Sequence, residues 1–190
     1  GYDHLRLPVD EEQLWLEDGR KDSVGFALLH QALDWCLKRD LKVIVDLHIV
    51  RSFHFNRTDN TLFTDPAAQE TWIDLWRQLS AELKDYPTGM VAYELLNEPV
   101  ADEHAQWNEL VNRCLAVVRE LEPERFVVIG PNKWQGLYNV PTMDLPADDP
   151  YLLVSFHYYE PLLLTHYRAS WLSLGDYDGP VQYPGQVVPD

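Results

Sequence analysis

"YELLNEPV", Tyr93–Val100, is the stretch on which the fold turns. Its first half is an apolar run of the kind that builds a buried strand. The run then stops at Asn97-Glu98-Pro99, with an ionisable carboxylate where a core should end. Extended upstream to "MVAYELLNEP" (90–99), it reads as one strand of a sheet. Working outward, the same unit recurs. "HLRLPV" (4–9) is a short strand that ends in Pro8. "LKVIVDLH" (41–48) is β-branched and apolar on both faces, as a parallel strand between two layers should be. "RFVVIG" (125–130) and "YLLVSFHYY" (151–159) complete the set.

Helical stripes lie between these runs. Ser23 is placed to cap a helix with Phe26, Leu29, Leu33 and Leu37 on one face. Asp65-Pro66 reads as the N-cap and first residue of a second helix, whose stripe is Trp72, Leu75, Trp76, Leu79 and Leu83. Trp107, Leu110, Val111, Cys114, Val117, Val118 and Leu121 form a third. Residues 130–150 have no stripe and read as a long loop with at most a helical turn, a natural carrier of binding residues.

Strand, helix, strand, helix implies parallel βα units. Two architectures fit: a doubly wound sheet, or part of a (β/α)8 TIM barrel. The barrel is favoured because the polar interruptions fall at strand C-termini: Arg6, His48, Asn97, Glu98, His157 and Tyr159. In a barrel all those ends open on one face, where side chains from several strands meet. A doubly wound nucleotide binder would carry a Gly-rich turn after its first strand, and Pro8-Val9-Asp10 is no such turn.

The chain has 190 residues and 46 % hydrophobic content, enough for one core. A formal charge of −16 argues against nucleic acid, which needs clustered Lys and Arg, and disfavours a strongly acidic substrate. No run is long enough to span a membrane. Cys36 and Cys114 lie in helical patterns with no zinc-type spacing and read as buried thiols.

Several residues could carry chemistry. A carboxylate emerging from a buried strand, as Glu98 does, is partly desolvated; that favours its protonated form and suits a general acid. Asn97 offers donors and an acceptor without charge. Arg6, on an apolar strand, needs a carboxylate partner, catalytic or structural. His48 shares a strand face with Asp46, and His54 follows six residues on, so a zinc site of Asp46, His48 and His54 is one reading. By alternation His157 and Tyr159 share a face, while Glu160 points elsewhere. Seven Trp and ten Tyr are many for this length. Trp35, Trp72, Trp76 and Trp107 read as core. Trp134, Tyr138 and Trp171 fall in loop-like segments, where flat rings can stack on sugars.

Taken together, "HLRLPVD", "VIVDLH", "LLNEP", "VVIGPNKWQG" and "VSFHYYEPLLLTHYRASW" resemble glycoside hydrolase family 5, the cellulase-type retaining endo-β-glycanases. The order matches strands 2 to 6 of that family's barrel. The resemblance implies an incomplete barrel, with residues 1–190 a partial catalytic domain lacking strand 1 and strands 7 and 8. A whole barrel takes about 250 residues.

It also implies roles. Glu98 is the expected acid/base, with Arg6, Asn97, His157 and Tyr159 beside it. His48 and Asn97 are the expected sugar ligands, with Trp134, Tyr138 and Trp171 as substrate-binding aromatics. Metal and organic cofactors are not needed, and secretion is expected because polymeric glycans lie outside cells. The family's nucleophile is a second Glu about 5–5.5 Å from the first. None of Glu160, Asp176, Asp178 or Asp190 has the family's setting for it, so the nucleophile is expected outside this chain. The implied activity is retaining hydrolysis of β-1,4-glucan, with mannan, xyloglucan and mixed-linkage glucan still open. A non-hydrolytic carbohydrate-binding barrel piece is the alternative. Alone, such a piece should aggregate or exchange elements, because its edges are unpaired.

Overall fold

A computed structural model of the chain describes residues 1–188, so Asp190 lies outside the described residues. These residues divide into two compact units, one from Gly1 to Phe156 and one beginning at His157.

The first unit holds the sheet. Its strands are β1 (His4–Asp10), β2 (Lys42–Ile49), β3 (Val91–Glu94), β4 (Val127–Ile129) and β5 (Leu152–Val154). Its helices are α1 (Glu11–Leu14), α2 (Ser23–Leu37), α3 (Pro66–Leu83) and α4 (His104–Leu121), and a 3₁₀ turn spans Leu137–Thr142. The strands are parallel and their spatial order is β1-β2-β3-β4-β5. Spatial order that follows chain order is the succession of a (β/α)8 barrel. A doubly wound sheet reverses at a switch point, and none occurs among these strands.

Register fixes what each face carries. Val45 pairs with Tyr93 and Asp46 with Glu94; Tyr93 pairs with Val127 and Glu94 with Val128. Alternation then puts Val43, Val45, Leu47, Val91, Tyr93, Leu95, Val127 and Ile129 on one face. All are buried, in one core with the apolar residues of α2, α3 and α4. Arg6, Asp46 and Glu94 project from the opposite face.

The helices start where local chemistry directs. Asp65 accepts the Ala67 N–H, and Pro66 takes the first helical position, where no N–H is needed. Gln106 accepts the Glu103 N–H at the head of α4. At α2 the cap is Asp22, whose carboxylate accepts from Val24 and Gly25; Ser23, the expected cap, is already inside the helix. Trp35 is a second correction: it sits off the buried stripe of α2 and is 56 % exposed. Cys36 and Cys114 are buried free thiols, and burial pushes the Cys114 thiol pKa up.

Two strands end sooner than the sequence suggests. β3 stops at Glu94: the Leu95 N–H still reaches the Val128 carbonyl of β4, but its own carbonyl goes to the Trp76 indole. β5 stops at Val154. Face alternation therefore does not reach His157 and Tyr159, and the inference that they share a strand face lapses. Residues 130–150 form the expected loop with one helical turn.

The second unit contains α5 (Leu162–Thr165) and a 3₁₀ turn at Ser173–Asp176. Within it the His157 and Tyr159 rings meet edge to face at 6.0 Å, and Tyr159 meets His166 at 4.9 Å.

Candidate active site

Side chains of β1, β2 and the end of β3 converge on one guanidinium, that of Arg6, which stands inside β1 and not at its C-terminal end as the sequence suggested. Arg6 donates through Nε to Glu94 Oε2 at 2.5 Å and through Nη2 to Asn97 Oδ1 at 2.9 Å. The same Nη2 lies 2.9 Å from Asp46 Oδ2. That oxygen is also 2.6 Å from His48 Nδ1. Burial alone would make the Arg6 charge costly. The Glu94 hydrogen bond and the charges of Asp46, Glu94 and Glu98 outweigh it and raise the Arg6 pKa. Glu98 is thus within electrostatic reach of Arg6.

Asp46, Glu94 and Asn97 are buried, and Glu98 is 9 % exposed. Asp46 Oδ1 is buried without a hydrogen-bond partner. A buried acceptor left unmade is costly, by about 1–3 kcal/mol, and such groups concentrate at functional sites. Glu98 also holds a left-handed backbone, φ +46°. For a residue with a Cβ this costs roughly 1–2 kcal/mol, so its surroundings must impose it.

The surroundings are the turn after β4. Lys133, Trp134 and Gln135 are left-handed in succession, at φ +60°, +57° and +52°. Gln135 is fully buried and accepts the Glu98 N–H at 2.8 Å. Its amide donates to Glu94 Oε1 and to Ser155 Oγ, each at 3.0 Å. Trp134, 51 % exposed, donates its indole N–H to the Phe55 carbonyl. Phe55 in turn meets the His48 ring edge to face at 5.4 Å. Beside these rings opens a cavity of about 320 Å³, lined in part by Phe55, Arg57, Val100, Asp102, Lys133 and Trp134.

His48, Asn97, Glu98 and Trp134, singled out in the sequence, therefore lie at or beyond strand ends of the first unit, and Arg6 reaches Asn97 from within β1. Tyr138 is highly exposed on the 3₁₀ turn. His157, Tyr159 and Trp171 belong to the second unit, where Trp171 is exposed. The zinc reading does not survive: among the described residues no three His, Cys, Asp or Glu side chains form a metal-binding group. His54 instead accepts the Asn56 N–H and stacks on Phe55. Sequence reasoning missed Glu94 and Gln135. Glu94 had a signal, a charge inside an apolar strand on the same face as Asp46. Gln135 had none beyond the glycine that follows it, Gly136.

The Cellulase family model, glycosyl hydrolase family 5, matches residues 1–178. Endoglucanase C of Acetivibrio thermocellus is 33 % identical over 190 residues, covering 98 % of this chain and 55 % of that protein. The chain thus spans about half the length of the curated relatives it matches. A hyperthermophilic endo-β-1,4-glucanase solved in complex with substrate superposes with a TM-score of 0.79 at 31 % identity, over 91 % of this chain and 54 % of its own. Cel5A of Thermotoga maritima, a mutant form solved with cellobiose, gives a TM-score of 0.83 at 26 % identity, over 97 % and 58 %. Parallel strands in barrel order, a carboxylate-rich strand-end cluster and these matches agree, and the chain belongs to the cellulase family, glycosyl hydrolase family 5.

Proposed function

We propose that the protein hydrolyses β-1,4-linked glucan with retention of configuration, and that residues 1–190 supply the acid/base half of its catalytic domain. The observation that carries this reading is Glu98: a nearly buried carboxyl at a strand mouth, held left-handed beside Asn97 and Arg6. In the first step Glu98 gives its proton to the leaving glycosidic oxygen while a second carboxylate attacks the anomeric carbon. In the second step Glu98 takes a proton from water, which displaces the enzyme carboxylate and releases the sugar. We place that second carboxylate in the part of the relatives' length that this chain does not span.

Asn97 would hold the sugar 2-hydroxyl, with its Oδ1 already fixed by Arg6. His48, oriented by Asp46, would hold the same sugar. Arg6 and Tyr159 would steady the nucleophile and His157 the acid/base. Trp134 supplies a stacking face, with Tyr138 and Trp171 as further aromatic contacts. Glucan is preferred over mannan, xyloglucan or mixed-linkage glucan because the curated relatives' printed names are endoglucanases and a cellodextrinase. A polymer of this kind lies outside the cell, and we place the reaction there.

The test is hydrolysis of a soluble cello-oligosaccharide by the full-length protein and its Glu98→Gln variant. The variant should bind the sugar and lose hydrolysis. A full-length protein that binds without cleaving would point to a carbohydrate-binding role instead.

A further inference from the structure

We propose that Gln135 is a positioning residue for Glu98: it fixes the backbone from which the acid/base carboxyl projects and ties it to the Arg6 cluster. The inference rests on the reading of Glu98 given above.

The turn after β4 grips the turn after β3 residue by residue. Gln135 Oε1 takes the Glu98 N–H. The Trp134 N–H goes to the Pro99 carbonyl at 3.1 Å. Asn132 takes the Ala101 N–H and returns a bond to the Ala101 carbonyl, at 2.8 and 3.0 Å. Lys133 Nζ donates to the Asp102 carbonyl. The Gln135 bond is made to the Glu98 N–H itself. It comes from a fully buried side chain, so its loss would leave a buried polar group unmade.

Gln135 also satisfies both ends of its amide. Its NH₂ bonds Glu94 Oε1, and Glu94 Oε2 bonds Arg6. A continuous path therefore runs from the Glu98 backbone through Gln135 and Glu94 to Arg6, and from Arg6 to Asn97. An apolar side chain in place of Gln135 would leave the Glu98 N–H and a Glu94 oxygen buried and unmade. The left-handed Glu98 would then lose a buried bond that holds its backbone.

Gly130 makes room for this. A Cβ at Gly130 would lie 2.2 Å from Gln135 Nε2 and 2.3 Å from its Cγ. The glycine at the end of β4 is needed for clearance rather than for backbone freedom.

The test compares wild type, Gln135→Leu, Gln135→Glu and Glu98→Gln in the full-length protein. Steady-state kinetics would use a soluble cello-oligosaccharide over a range of pH, with a melting curve for each variant. Gln135→Leu should lower kcat by about tenfold to a hundredfold with KM changed less than about threefold, as expected when a catalytic group is misplaced by about an ångström. Gln135→Glu keeps the acceptor for Glu98 but donates to Glu94 only when protonated. Its kcat relative to wild type should therefore recover toward acid pH and fall as pH rises. A Gln135→Leu enzyme with wild-type kcat at temperatures where it is folded overturns the proposal. So does a Gln135→Glu enzyme whose pH profile parallels wild type. Full hydrolysis by Glu98→Gln would instead overturn the acid/base reading beneath it.

Discussion

Tyr93 and Glu94 are neighbours on one short strand, yet each anchors a different buried polar cluster. Tyr93 faces the helices. Its hydroxyl donates to Glu122, which also accepts from Ser80 and from Arg125. Arg125 is fully buried, stands over the Tyr93 ring, and donates to the carbonyls of Val91 and Tyr86 at 2.7 and 2.9 Å. Glu94 faces the other way, into the cluster of Arg6, Asp46, Asn97 and Gln135. The helix-side cluster is closed, and it ties the end of α3 and the start of β3 together. The other is partly open: Arg6 is about a third exposed and Asp46 Oδ1 is unpaired. The closed network ties helix to sheet, whereas the partly exposed one surrounds the residues proposed for the site.

This contrast can be broken from either side. The largest effect is expected at the open cluster. Glu98→Gln should cut turnover of an unactivated glucan by about 10²–10⁴-fold, the range of a general acid, with little change in melting temperature. The reverse pattern is expected at the closed cluster. Arg125→Met leaves Glu122 buried without its charged partner and should cost about 3–5 kcal/mol in denaturant unfolding, while the protein that remains folded keeps its turnover. Gly130→Ala should fall between them. Its methyl must displace Gln135, costing about 1–3 kcal/mol in stability and also lowering kcat, because the displaced side chain belongs to the open cluster.

The smallest effect sharpens the closed side. Arg119 extends that cluster outward, donating to the Arg125 carbonyl and to Asp149. Burial alone would raise the Asp149 pKa, but the Arg119 hydrogen bond, the Tyr151 N–H and the Arg119 charge together hold it below 3.8. A carboxyl with a depressed folded pKa contributes stability that is present above the unfolded value and lost as pH falls through the folded one. Unfolding titrations should therefore show a stability loss below about pH 4 that Asp149→Asn flattens.

The fold was legible because its signals are local. Apolar runs with β-branched residues, a Pro after an Asp cap and helical stripes each act within a few residues, and β1 to β5 emerge in the expected order. What escaped depends on distant partners. The carbonyl of Leu95 leaves the ladder for an indole nineteen residues upstream, although its N–H still bonds β4. Asp22 rather than Ser23 caps α2, a choice made by which side chain reaches two free N–H groups. Trp35 is exposed because the stripe it was assigned to runs along another side of the helix.

At the site, the residues that carry motifs stood out: Arg6, His48, Asn97 and Glu98 interrupt apolar strands. Glu94 was visible only as a charge inside an apolar strand, on the face that alternation gives to Asp46. Gln135 could not be found, because its meaning lies in contacts with residues 37 and 41 positions away.

The most direct test of the central claim varies the leaving group. For the full-length protein and Glu98→Gln, kcat/KM would be measured on a cello-oligosaccharide and on a dinitrophenyl β-cellobioside. The first must receive a proton to leave; the second departs as a stable anion. If Glu98 is the acid, the variant should lose kcat/KM severely on the oligosaccharide and little on the aryl glycoside. Equal losses on both substrates would contradict that role.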